Sequence, residues 1–105
     1  MIMKKTYNKL VRDKIPEIIE ASGKKCSVEI LETCEYIEAI DAKLNEELGE
    51  YYKDHNVEEL ADLLEVIYSA ARARGCSVEE LEKIRATKAE QRGAFEKRIL
   101  LKYVE

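Results

Sequence analysis

Two runs of apolar residues at helical spacing, separated by one polar break between Thr33 and Gly75, constrain the fold more than any other feature. Ile37, Ile40, Leu44, Leu48 and Tyr51 recur every three or four residues. "KDHN" then interrupts, and Leu60, Leu63, Leu64, Ile67 and Ala71 resume the period. This pattern predicts two amphipathic helices, and a break this short makes them an antiparallel hairpin with facing apolar stripes. Thr33 is placed to cap the first helix. Asn56 and Glu59 resemble a capping box that opens the second, and Gly75 is its natural stop.

The flanks add shorter elements. "VRDKIPEIIEASG" reads as a first short helix, with Pro16 near its start and Gly23 at its end. "KCSVEIL" alternates, with Cys26, Val28 and Ile30 on one side, and reads as a strand. Ser77 and Glu80 form a second capping-box pattern, followed by a helix carrying Val78, Leu81 and Ile84. Beyond Gly93, "AFEKRILLKYV" reads as a short strand. The expectation is thus a mainly α chain, one domain over residues 1–105, with a central antiparallel hairpin. A small two-stranded β element from residues near 25–31 and 95–101 accompanies it.

Composition narrows the function. The 105 residues suit a single small domain, and 46% hydrophobic content is too high for disorder. A formal net charge of −4 argues against binding nucleic-acid polymer. No apolar run approaches the roughly 18 residues of a membrane span, and the N-terminus lacks signal-peptide features. The expected location is cytoplasmic. Cys26, Cys34 and Cys76 show no metal-like spacing and read as reduced packing thiols.

The acidic residues of the hairpin divide by direction. A helix turns about 100° per residue. With Glu47 at zero, Ile40 lies at about 20°, Tyr51 at about 40° and Leu44 at about 60°, so Glu47 borders the apolar arc. Glu50 falls at about −60° and Glu46 at about −100°. On the second helix, with Leu63 at zero, Glu59 falls at about −40°, inside the arc, and Asp62 at about −100°, at its border. Glu58 and Glu65 point the other way, as ordinary solvated charges. Burying unpaired carboxylates costs several kcal/mol, so acids beside packing stripes require compensation. A hard divalent cation such as Mg²⁺ is one solution, because it prefers carboxylate oxygen. An acidic rim left open by a different helix packing is the other. A di-iron site fits poorly, since the only histidine, His55, falls in the break.

Glu46-Glu47-Leu48-Gly49-Glu50 followed by Glu59-Leu60-Ala61-Asp62 resembles the EExxE…ExxD motif of the all-α NTP pyrophosphatases, the superfamily of MazG proteins. "YNKLVRDKIPEIIE" and "KAEQRGAFEKRILL" resemble its phosphoribosyl-ATP pyrophosphohydrolase-like subgroup. The resemblance spans nearly the whole chain. It implies a helical-bundle fold and an Mg²⁺-dependent enzyme, with Mn²⁺ as a substitute. Such an enzyme cleaves a nucleotide between its α- and β-phosphates to give a monophosphate and pyrophosphate. By that pattern Glu47, Glu50, Glu59 and Asp62 are metal ligands, and Glu46 holds a second metal or orients the attacking water. Glu46 and Glu47 are the catalytic candidates. A homodimer or homotetramer is implied as well.

Substrate phosphates need positive side chains. Lys9, Arg12, Lys83, Lys88 and Arg92 are the candidates, each with a solvated charge or surface ion pair as the alternative. Asn8 either reads a base or sugar edge or forms a turn. Gly49, mid-helix, either admits a close neighbour or is a tolerated weak point. Tyr51 reads as core, and Tyr52 as an interface or base-stacking residue. Three functions stand at this stage. They are an NTP or dNTP pyrophosphohydrolase, the phosphoribosyl-ATP step of histidine biosynthesis, and a helical interaction module without catalysis.

Overall fold

The computed structural model describes residues 4–105. Its elements are α1 (Ile15–Ala21), α2 (Thr33–Asp54), α3 (Val57–Ala73) and α4 (Val78–Arg92). The chain is mainly α, and the dominant packing is α2 against α3. Ile40 of α2 and Val66 of α3, 2% and 9% exposed, form the buried centre of that hairpin. α1 packs against no other helix among the described residues, and α4 meets only α3.

The boundaries follow from local chemistry. α1 begins at Ile15 rather than at Val11, with Pro16 in its first turn, where a missing amide costs nothing. It ends where the Ser22 hydroxyl donates to the Ile19 carbonyl at 2.6 Å, just before Gly23 at φ +89°. α2 is capped by Glu32, not by Thr33. Glu32 holds the extended conformation, its carbonyl accepts from the Tyr36 amide at 2.8 Å, and Thr33 already lies inside the helix. His55 ends α2 in the left-handed region at φ +54°, donating its amide to the Tyr51 carbonyl at 2.7 Å. Asn56 then opens α3 by accepting from the Glu59 amide at 2.9 Å, one half of the expected capping box. At α4 both halves are present between Ser77 and Glu80. His55 and Asn56 alone thus reverse the chain and set the two acidic stretches side by side.

The expected β element is absent from the described residues. Neither 25–31 nor 95–101 forms a strand. Among the described residues, 24–31 make no backbone hydrogen bond, and 99–105 make none either. The alternation of "KCSVEIL" therefore has no ladder to sit in. No disulfide joins Cys26, Cys34 and Cys76; Cys34 is exposed and does not pack as expected, while Cys26 and Cys76 are half-buried. A Cβ added at Gly49 would meet nothing within 4 Å, so no element of this chain makes a close approach there. Tyr51 is half-buried against Tyr52 and His55, and Tyr52 is exposed.

The molecule is long, 67 × 31 × 25 Å, with a radius of gyration of 18.4 Å. A compact chain of this length would have roughly 13 Å.

Candidate metal centre

Two antiparallel helices joined by two residues bring the C-terminal half of α2 against the first turns of α3. Glu47, Glu59 and Asp62 each offer a carboxylate oxygen to one point, with the three oxygens within 4.8 Å of one another. A second trio, Glu50, Asp54 and Glu59, meets the same limit. Glu59 belongs to both, so the four expected ligands form one continuous acidic patch rather than a single pocket. Asp54 joins them. The signal for Asp54 was its place seven residues after Glu47, two turns on along the same face.

The acids are not all unpaired. Lys43, half-buried, reaches Glu47 at 3.3 Å and Glu46 at 3.4 Å, an i,i+4 and i,i+3 arrangement that the sequence spacing contained. Lys9 pairs with Glu46 at 2.7 Å and Arg12 with Asp62 at 2.7 Å. The expected uncompensated burial is thus milder than the helical wheel implied. The Asp62 side chain is 43% exposed, whereas that of Glu47 is 14% exposed. Compensation is also incomplete. Glu46, Glu47, Glu50, Asp54, Glu59 and Asp62 carry six formal negative charges against three from Lys9, Arg12 and Lys43. Three remain, and Glu50, Asp54 and Glu59 have no cationic partner among the described residues.

The electrostatics differ within the patch. Partial burial, and then the charges of Asp62, Asp54, Glu50 and Glu47, hold the Glu59 carboxyl above its ordinary range. Glu46 goes the other way: its hydrogen bond from Lys9, aided by Lys43, holds it below that range. The same bond raises Lys9. The donor set is all hard oxygen, which fits Mg²⁺ or Mn²⁺ and not a thiophilic metal.

The expected phosphate contacts separate into two groups. Lys9 and Arg12 lie at the acidic patch and spend their charge on it. Asn8 between them and the preceding Tyr7 takes φ +44°, a turn conformation that asparagine tolerates. Tyr7 also carries Lys5 and Lys9 over its ring at 5.1 and 5.8 Å. Lys83, Lys88 and Arg92 line a shallow open depression along α4 with Glu80, Ile84 and Thr87, and none of the three pairs with the acidic patch. Within one chain, then, the two basic sets do not meet.

No helix of the described residues is long and apolar enough to cross a membrane. No family model matches the chain, and no solved structure matches it. The chain is similar to an uncharacterized protein of Mycolicibacterium smegmatis, with 54% identity over 41 residues. That stretch is 39% of this chain and 42% of that protein, so the chain spans less than half of its relative.

Proposed function

We propose that this chain is an Mg²⁺-dependent nucleotide pyrophosphohydrolase of the all-α kind it resembles. It would hydrolyse the α–β phosphoanhydride of an NTP or dNTP, acting as a homodimer or homotetramer. The observation that carries the reading is the meeting of Glu47 from α2 with Glu59 and Asp62 from α3, extended through Glu59 to Glu50 and Asp54. A patch with three uncompensated negative charges repels a polyphosphate unless cations intervene. Bound Mg²⁺ would shield the phosphate oxygens and acidify a water.

The chain's own groups take the remaining tasks. Glu47, Glu59 and Asp62 would hold a first cation, and Glu50, Asp54 and Glu59 would offer oxygens to a second. Glu46, kept ionised by Lys9 and Lys43, accepts a hydrogen bond from water and orients it toward the α-phosphorus. Oxygen from that water would bond to the α-phosphorus as its proton passes to Glu46, the bridging P–O bond would break, and its electron pair would leave with pyrophosphate. Arg12 and Lys9 are the nearest cations for the phosphates. Each must leave its carboxylate, Glu46 for Lys9 and Asp62 for Arg12, to reach them.

The test is a pyrophosphate-release screen over common and damaged NTPs, dNTPs and phosphoribosyl-ATP, with Mg²⁺ or Mn²⁺. Turnover should require metal. It should fall at least about a hundredfold in Glu47→Gln and Glu59→Gln, more than is typical for losing an outer contact to a metal site. Glu58→Gln should match wild type. Release only from phosphoribosyl-ATP would assign the biosynthetic step. No release together with no calorimetric Mg²⁺ binding would leave the non-catalytic module.

A further inference from the structure

The largest unmet burial in the molecule lies away from the acidic patch. After Gly93 the chain presents Phe95, Ile99, Leu100, Leu101, Tyr103 and Val104 to solvent, with Ile99 81% and Leu101 74% exposed. Residues 99–105 form no backbone hydrogen bond with the described residues, so their amides and carbonyls lack partners there along with the side chains. Residues 24–31 are the counterpart: they too lack backbone hydrogen bonds among the described residues, and Ile30 is 91% exposed. Unpaired backbone beside apolar side chains is a template for pairing with another chain.

We propose that residues 94–104 are an inter-subunit arm. In the assembled protein this arm lies on a second copy of the chain and forms a β ladder with residues 24–31 of that copy. The exchange is reciprocal, as two-fold symmetry requires. Two observations select a second copy over a foreign partner. The chain carries both halves of the ladder, and among the described residues neither half makes a backbone hydrogen bond. The surface area is 9959 Å² for 12.1 kDa, against roughly 6,000 Å² for a compact monomer of that mass. That excess is larger than the roughly 800 Å² per partner of a standard interface. Ile99, Leu101 and Tyr103 alternate with Leu100, Lys102 and Val104, so both faces of the arm are apolar, as in a strand covered on two sides.

The arm does not depend on the proposed hydrolase activity, and its test uses neither metal nor nucleotide. Sedimentation of the full chain across a concentration series should give a species of twice 12.1 kDa or a multiple of that. Hydrogen exchange on the same samples should show amides of 26–31 and 99–104 protected together, with protection lost on dilution as the species dissociates. The double variant Ile99→Glu, Leu101→Glu should raise the dissociation constant by about a hundredfold or more. Its helical circular dichroism should stay unchanged, which separates lost pairing from lost folding. A 12.1 kDa species with freely exchanging arm amides at every concentration would overturn the proposal and point to a foreign partner. Protected amides in a monomer would overturn it in favour of pairing within the chain. An oligomer with unprotected arm amides would overturn it in favour of contact through the helices.

Discussion

The α2–α3 hairpin and the segment after Gly93 are both apolar sequences, yet one buries its residues and the other does not. Ile40 is 2% exposed in the hairpin, and Ile99 is 81% exposed in the segment. The difference is one of partners. In the hairpin, two stripes of the same period are joined by two residues, so each finds the other locally and at little cost in loop closure. The C-terminal segment has no stripe beside it among the described residues of its own chain. An apolar pattern states that a surface must be covered, and chain proximity decides whether the same molecule can cover it.

The sharpest way to break this comparison is to remove equivalent atoms from each region. Ile40→Ala should destabilise the fold by about 2–5 kcal/mol, the usual range for a core cavity. That loss should be the same at low and high protein concentration. Ile99→Ala should cost nothing where the protein is dissociated, and its effect should emerge only as concentration rises. Urea unfolding at two protein concentrations separates the two behaviours. An Ile99→Ala loss equal to that of Ile40→Ala at both concentrations would mean the arm is packed within one chain.

The same distinction explains what could be read from the sequence. The helices were legible because their signals are local: apolar period, Pro16 in a first turn, Asn56 and Ser77 as caps. The Thr33 cap failed by one residue because Glu32 can take the extended conformation equally well. The acidic cluster was legible in part. Helical angle placed Glu47, Glu59 and Asp62 together, since a short turn fixes how α2 and α3 face each other. The cations of the N-terminal segment were not placed by any such rule. Lys9 and Arg12 reach Glu46 and Asp62 across 37 and 50 residues, and no periodicity encodes that approach. The strand pairing of 25–31 with 95–101 failed for the same reason, because alternation specifies a strand without specifying whose.

A smaller effect sharpens the comparison at the acidic patch. Mg²⁺ that binds only the folded hairpin stabilises it by about 2.7 kcal/mol per site at a hundred times its dissociation constant. For a domain of this size that raises the melting temperature on the order of 10 °C. Sodium at matched ionic strength should do much less, because screening is weak for partly buried charges. Glu59→Gln should lose most of the response, since Glu59 belongs to both trios, while Glu46→Gln should retain most of it. Differential scanning fluorimetry with and without Mg²⁺ reads this directly. Equal shifts with Mg²⁺ and sodium in a protein that still turns over would place metal arrival with the nucleotide.

The smallest expected effect sets two carboxylates of this one patch against each other. In metal-free protein the folded state holds the Glu59 carboxyl above its ordinary value. It therefore binds its proton more tightly folded than unfolded. Its contribution to stability is complete below the ordinary carboxylate range and is lost as pH rises through the raised value. Glu46 has the opposite sign: its value is lowered by Lys9, so its contribution exists above the ordinary range and disappears as pH falls through the lowered value. Glu59→Gln should accordingly match wild type in acid and become the more stable protein as pH approaches neutrality. Glu46→Gln should also match wild type in acid but become the less stable one, by under about 1 kcal/mol for so exposed a pair. Urea unfolding in EDTA from about pH 3 to about pH 7 follows both differences. Two curves diverging in the same direction would mean that Lys9 does not hold Glu46 in solution, and the N-terminal segment would then not be anchored at the acidic patch.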